Sequence, residues 1–152
     1  MFNTKSYTVN VDRDQILLSE VQEISRDEIE LGENDTTVEL GSDCYQLNNV
    51  AIDDFELDRD KSNACLDIDK LRFPLKFRKW KEGDVFVPFG MRGRKKVSDF
   101  LIDEKIPRIL KHNIWVMESQ GEICWIVGQR LDHRFSVNEK TQTVLYLKKN
   151  KC

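Results

Sequence analysis

The sequence has 152 residues, of which 39% are hydrophobic and 34% are charged, and its formal net charge is −3. This length and composition suit one globular domain with its own core. No apolar run approaches the roughly 20 residues that a membrane-spanning helix needs, and the N-terminus lacks the pattern of a signal peptide. A cytoplasmic protein without a membrane partner is therefore expected.

Charge is distributed unevenly along the chain. Residues 1–69 hold 5 Lys and Arg against 18 Asp and Glu, residues 70–111 hold 13 against 5, and residues 112–152 hold 6 against 4. A basic segment in a chain with a net negative charge favours a nucleic-acid contact over general solubility. The sequence predicts one unit in two lobes: an acidic, strand-rich segment over residues 1–70 and a basic segment over residues 71–149.

The acidic segment predicts short strands separated by polar turns. Apolar and polar residues alternate in SYTVNV, and further strands are expected at QILLSEV, TTVEL, CYQLNNVAI and ACLDIDKL. The stretches SRDEIELGEND and DDFELDRDKSN are acidic and rich in turn-forming residues, so they are expected to connect strands. The expected structure is an antiparallel sheet with a solvated acidic face.

The basic segment begins with LRFPLKFRKW, where large apolar side chains alternate with cations, as in a strand with one face in the core. Pro74 within this run favours an edge or irregular strand. The spacing of Val97, Phe100 and Leu101 predicts an amphipathic helix over about residues 95–105. After it, HNIWVMES and EICWIVGQRL predict a hairpin, and TQTVLYLKK predicts a last strand.

The loop before this helix, PFGMRGRKKV, combines two glycines with Arg92, Arg94, Lys95 and Lys96. Cations at a helix N-terminus oppose the helix dipole, which indicates that the loop accepts an anion such as a phosphate. A merely solvated basic loop is the alternative. The loop matches neither the Walker pattern nor the dinucleotide-binding glycine pattern, so it is not expected to hold ATP.

Residues suited to catalysis or metal binding are sparse. His112 and His133 are the two histidines, and no serine or cysteine lies in a nucleophile motif. The four cysteines are far apart and lack zinc-ligand spacing, so they are expected to be reduced thiols. The residues alone predict neither a catalytic group nor a metal site.

A longer pattern joins these segments in two blocks. The first block comprises Arg78, Gly83-Asp84, Phe86-x-Pro88-x-Gly90-Met91-x-Gly93-x-Lys95-Lys96-Val97 and Asp103-x-Lys105-Ile106-Pro107. The second block is WIVGQRLDxRF, from Trp125 to Phe135. Together the blocks resemble the C-terminal domain of bacterial tRNA(Ile)-lysidine synthetases, over roughly residues 72–147.

This resemblance implies an α+β fold with a strand-rich, layered mixed sheet and one helix after the basic loop, similar to a domain of the phenylalanyl-tRNA synthetase β chain. In that family a separate N-terminal domain uses ATP and Mg to join lysine to the wobble cytidine of AUA-decoding tRNA(Ile). The family's Ser-Gly-Gly-x-Asp-Ser loop is absent here, because no two glycines are adjacent. A non-catalytic C-terminal fragment without a cofactor of its own is therefore expected.

The resemblance also implies which residues meet the tRNA, because A-form RNA is recognised mainly through phosphates and 2′-hydroxyls. The expected tRNA-binding residues are Arg78, Arg92, Arg94, Lys95, Lys96, Lys105, Arg130 and Arg134. Asp84, Asp103 and Asp132 are expected to orient these cations. The expected partners are tRNA(Ile) and the enzyme's own catalytic domain, and a homodimer stays open.

Two other interpretations stay open at this point. In the first, the basic segment docks on an acidic face of another chain or domain, including residues 1–69 of a second copy. In the second, the chain is a stand-alone hydrolase, which would need a pocket that gathers His112 or His133 with carboxylates.

Overall fold

The computed structural model describes residues 28–150, so the strands predicted at SYTVNV and QILLSEV lie outside the described residues. The strands are β1 (Glu28–Leu31), β2 (Thr37–Leu40), β3 (Asp43–Ala51), β4 (Ala64–Asp67), β5 (Leu75–Lys79), β6 (Val85–Phe86), β7 (Lys95–Lys96), β8 (Trp115–Ser119), β9 (Glu122–Ile126), β10 (Arg130–Leu131) and β11 (Thr143–Asn150). Two short helices, α1 (Val97–Asp103) and α2 (Arg108–Lys111), follow the basic loop. None of the helices in residues 28–150 has the length and apolar character that crossing a bilayer requires.

The strands form two larger sheets and one two-stranded ribbon. The first sheet has the order β1-β5-β8-β9-β10, the second has the order β2-β3-β11-β4, and the ribbon pairs β6 with β7. All the ladders among these described strands are antiparallel. The change of charge near residue 70 does not separate the sheets, since β1 pairs with β5 and β11 lies between β3 and β4. The division into two lobes stays a prediction from charge.

The main core lies between the two larger sheets. Phe77, Met117 and Trp125 come from the first sheet, and Tyr45 and Leu147 come from the second, all of them buried. The rings of Tyr45 and Trp125 meet edge to face, with centroids 5.7 Å apart. Burial of these apolar side chains is the main source of free energy that holds the sheets together.

A second core lies on the opposite face of the first sheet. Val116 of β8 packs there with Phe86 of β6 and with Val97, Phe100 and Leu101 of α1. The rings of Phe86 and Phe100 meet edge to face at 5.2 Å. The apolar residues whose spacing predicted the helix therefore form the face of α1 that packs on the first sheet. The result is three layers, and the predicted strand-rich, layered α+β fold is confirmed.

Two local predictions are wrong. The acidic stretch expected to be a connection contains β1, because Glu28 and Glu30 alternate with apolar residues and lie opposite Arg78 and Lys76 of β5. The strand β5 is not at an edge, because it lies between β1 and β8. Pro74 precedes the strand, where its missing N–H does not interrupt the ladder.

The cysteines also differ in part from the prediction. Cys65 and Cys124 are buried free thiols, and burial raises the pKa of Cys65 to about 11. Cys44 is disulfide-bonded, so the expectation of a reduced thiol is wrong there. Spacing along the sequence could not show this, because disulfide formation depends on which cysteines the fold brings close together. Cys152 lies outside the described residues.

The connection between β3 and β4 is held to the second sheet by the carboxylate of Asp58. This group accepts hydrogen bonds from the backbone N–H of Asp60 at 2.9 Å, from the amide of Asn63 at 2.8 Å and from the hydroxyl of Tyr146 on β11. These hydrogen bonds, that of Tyr146 first, hold the pKa of Asp58 below its usual range. The anchored connection forms one wall of a cavity described below.

Replacing Tyr146 by Phe removes this donor, and we expect the pKa of Asp58 to rise toward its ordinary value. A depressed folded-state pKa contributes stability above the unfolded pKa that is lost as the pH falls through the folded pKa. The loss of unfolding free energy in the variant should therefore be larger at neutral pH than in acid. Carboxyl NMR titration and urea denaturation at both pH values measure this; an unmoved Asp58 pKa would contradict it.

Candidate nucleic-acid interface

The basic loop, defined here as residues 88–96, joins β6 to α1 and includes β7. Gly90 has a φ of 90°, a conformation that favours glycine. Its N–H donates to Nδ1 of His133 at 3.3 Å, and the N–H of Phe89 donates to the carbonyl of Leu131 at 2.9 Å. The first half of the loop is therefore fixed to the second sequence block.

Three cations of the basic loop reach solvent. Arg92, Arg94 and Lys96 are exposed, and the side chain of Arg94 keeps 59% of its surface accessible. The carboxylate nearest to Arg94 is Glu122, at 4.0 Å. Neither Arg92 nor Lys96 forms an ion pair with any residue in the described part of the chain. A phosphate can reach all three without displacing a close carboxylate.

The N-terminus of α1 is less open than its sequence suggests. The N–H of Val97 donates to the carbonyl of Asp84 at 2.9 Å, and Lys96 pairs with Val85 in the ribbon. The helix is also only 7 residues long. The exposed side chains, rather than the helix terminus, are the groups that can meet an anion.

Three further predicted cations lie beside α1. Two of them have acidic partners, and the third has a left-handed backbone conformation. Lys95 forms an ion pair with Asp103. Arg130 lies 3.8 Å from Glu104, and its guanidinium lies over the ring of Phe100, 5.3 Å from the centroid. Lys105 is exposed and follows the helix with a φ of 60°. The charges of Lys95 and Arg130 are therefore partly neutralised, while that of Lys105 is exposed to solvent.

Arg78 differs from the other predicted cations because its side chain is only 11% exposed. Nε donates to Glu118 at 2.8 Å, while Nη1 and Nη2 donate to the two oxygens of Asp84 at 2.9 and 3.0 Å. Burial lowers its pKa, but the hydrogen bonds of Asp84 and Glu118 outweigh burial and raise the pKa overall. Because most of its donors are occupied, Arg78 has the geometry of a positioning residue.

Asp132 is fully buried and connects the basic loop to the end of the first sheet. Its carboxylate accepts hydrogen bonds from the N–H of Val87 at 2.8 Å and of Arg134 at 2.8 Å. The guanidinium of Arg134 adds two hydrogen bonds to the same carboxylate, at 3.0 and 2.9 Å, and one to Glu122 at 2.5 Å. The hydrogen bonds to Asp132 raise the pKa of Arg134, burial opposes them, and the bond to Glu122 adds to the rise.

Each predicted aspartate contacts one predicted cation: Asp84 contacts Arg78, Asp103 contacts Lys95, and Asp132 contacts Arg134. Sequence reasoning missed the two glutamates Glu118 and Glu122. Their only signal is strand register, since Glu118 lies opposite Lys76, two positions from Arg78, in the ladder of β5 and β8. The sequence alone does not provide that register.

The two histidines and the possible metal ligands are the remaining candidate groups of the described residues. His133 accepts the hydrogen bond of Gly90, and no ion pair joins His112 or His133 to a carboxylate in residues 28–150. The same residues contain no group of three or more His, Cys, Asp and Glu placed to hold a metal ion.

Known proteins resemble this chain over the residues that form the site described above. The family described as the TilS substrate C-terminal domain matches residues 75–147. This range includes the basic loop and the ion pairs of Arg78 and Arg134. The tRNA(Ile)-lysidine synthases of Parabacteroides distasonis and Bacteroides thetaiotaomicron are 40% and 36% identical over 149 and 150 residues, or 95% and 97% of this chain. The chain belongs to the TilS C-terminal domain family.

The same alignments cover 33% and 32% of the two synthases, so the chain spans about a third of the length of these relatives. A crystal structure of a TilS C-terminal domain superimposes with a TM-score of 0.68 at 19% identity, covering 82% of this chain and 97% of that chain. The layered arrangement described above is thus the TilS C-terminal fold.

Replacing Arg78 by Met should leave Asp84 and Glu118 without their partner in a mostly buried site. We expect the free energy of unfolding to fall by about 3 kcal/mol, as for other half-removed buried ion pairs. The matched control is Lys76→Met on the same strand, which removes an exposed pair with Glu28 at 3.7 Å and should cost below about 1 kcal/mol. Urea denaturation measures both, and equal losses would contradict the structural role of Arg78.

Proposed function

We propose that this chain is the tRNA-gripping part of a tRNA(Ile)-lysidine synthase that works in the cytoplasm. In this proposal it holds tRNA(Ile) while the rest of the enzyme, with ATP and Mg, attaches lysine to the wobble cytidine. The chain itself contributes binding and orientation and no catalytic group. The observation that carries the proposal is the basic loop, which presents Arg92, Arg94 and Lys96 to solvent from a firmly held base.

The way the loop is held supports this proposal. Val87, next to the loop, bonds to the buried Asp132, and Asp84, at the preceding turn, bonds to Arg78. The loop therefore has little freedom to lose when it meets a ligand, which reduces the entropic cost of binding. Guanidinium groups suit phosphates because their planar donors can form two parallel hydrogen bonds.

The proposed roles of the predicted cations follow from their exposure. Arg92, Arg94 and Lys96 make the primary phosphate contacts. Lys105, Arg130 and Arg134 add contacts at the margin. Arg78 and Lys95 position the loop and the helix through Asp84 and Asp103.

Reversing two loop charges, in Arg92→Glu with Arg94→Glu, should weaken tRNA(Ile) binding at least tenfold at low salt. Each lost phosphate contact also reduces counterion release, so the slope of log affinity against log salt should fall by roughly 0.7 to 0.9 per contact. Fluorescence anisotropy with labelled tRNA over a salt series measures both quantities.

The control is Lys140→Glu with Lys148→Glu, which changes the net charge equally at exposed positions in and beside β11. We expect it to retain most of the affinity. Equal losses in the two double variants would indicate a general charge effect instead of a loop contact. Absence of tRNA binding to the unmodified chain at low salt would overturn the proposed function.

Protein–protein docking is the second candidate function, because apolar side chains of α1 and α2 reach solvent. Ile102, Ile109 and Leu110 are 59%, 79% and 51% exposed. An apolar group beside a basic loop suits self-association in which the basic segment of one copy meets the acidic segment of another. This candidate requires a mass that rises with concentration and falls with added salt.

Light scattering over a concentration series at low and at physiological salt separates the two candidates. The tRNA-binding proposal needs no dimer, so we expect a monomer mass throughout. A salt-sensitive dimer that is lost in Ile109→Lys would favour docking.

A further inference from the structure

A cavity of about 510 Å³ opens beside the basic loop. Its apolar walls include Phe89 of the loop, Leu57 of the connection between β3 and β4, and Trp125 and Leu131 of the first sheet. Phe89 and Leu57 are 51% and 64% exposed, so these side chains are accessible to a ligand from solvent. The volume lies in the range of pockets that enclose small organic ligands, roughly 300 to 1,000 Å³.

Gln129 supplies the polar part of this cavity. It lines the cavity, and its Oε1 atom is buried without a hydrogen-bond partner. It is the one buried side-chain oxygen or nitrogen in the described residues with this property. Buried polar atoms are nearly always hydrogen-bonded, so this carboxamide has hydrogen-bonding capacity that the described residues do not use. When the carboxamide turns into the cavity, a ligand with donors and acceptors on a flat edge would satisfy it.

Two exposed cations of the cavity lining, Arg59 and Lys61, suit a ligand attached to phosphates. Arg59, Lys61 and Arg130 line the cavity, and Arg130 already belongs to the proposed RNA contacts. The carboxylates of the lining are bonded within the protein: Asp58 to Tyr146, Asp60 to the N–H of Ser62, and Glu104 to Arg130. Because Arg130 is paired with Glu104, the exposed Arg59 and Lys61 are the cationic groups best able to turn toward a ligand.

We propose that the cavity receives an unpaired nucleobase of the bound RNA. The ring of Phe89 stacks on the base, and the carboxamide of Gln129 forms hydrogen bonds with its edge. A purely apolar ligand would leave Gln129 unsatisfied, and a phosphate alone would make no use of the apolar walls. The inference rests on the proposed function, because the basic loop brings the RNA to the cavity.

Three RNA hairpins with the same short stem test the proposal with the full chain. One has a blunt end, one has a 3′ overhang of a few unpaired nucleotides, and one has an overhang of equal length that lacks its bases. The abasic overhang keeps the phosphates, so it separates base capture from electrostatic attraction. We expect the unmodified chain to bind the complete overhang at least fivefold more tightly than the abasic one, as for single-base stacking on an aromatic ring.

The variants Phe89→Ala and Gln129→Leu should lose this preference and keep the affinity for the blunt hairpin. Ile109→Ala is the matched control, because it also shortens an exposed apolar side chain but lies away from the cavity lining. It should keep the preference. Fluorescence anisotropy measures the affinities, and 2-aminopurine in the overhang reports stacking by its quenched emission.

Equal binding of the complete and abasic overhangs would overturn the inference and leave the proposed function intact. A preference that survives in both cavity variants would show that the base binds elsewhere. Failure of the blunt hairpin to bind at low salt would overturn the proposed function, and this inference with it.

Discussion

The position of the basic loop depends on the buried carboxylate of Asp132. Burying a carboxylate is costly unless it is paired and hydrogen-bonded. Asp132 meets both conditions with the N–H of Val87 and with the backbone and guanidinium of Arg134. Because Val87 and Arg134 lie far apart in the sequence, this carboxylate fixes the start of the loop against the end of the first sheet. Asp132 and Arg134 neutralise each other, and through Val87 this pair holds the loop that carries the exposed cations.

The sequence predicted the elements whose patterns are local. The period of LRFPLKFRKW predicted β5, and the spacing of Val97, Phe100 and Leu101 predicted the apolar face of α1. Roles that depend on long-range pairing could not be predicted. Arg78 and Arg92 have the same charge and lie close in sequence, yet the register of β5 with β8 buries only Arg78, beside Glu118. The strand β1 was misjudged for the same reason, since its partner β5 is distant in sequence.

The acidic and basic segments of the sequence are not separate in the folded structure, because both contribute strands to the same sheets. Glu28 and Glu30 of β1 lie opposite Arg78 and Lys76 of β5, and Glu28 forms an ion pair with Lys76 at 3.7 Å, so acidic and basic segments partly neutralise each other. The cations of the basic loop that stay exposed are Arg92, Arg94 and Lys96. Counting charges by segment therefore overstates how many cations of the basic segment are available to an anion.

The place of β11 in the second sheet has a consequence for biosynthesis. This strand, Thr143–Asn150, is the last described one along the chain, yet it lies between β3 and β4. During translation the earlier strands of this sheet leave the ribosome well before their central partner exists. Their apolar faces and unpaired edges stay open until β11 emerges, which is the topology that slows folding and favours contact with chaperones.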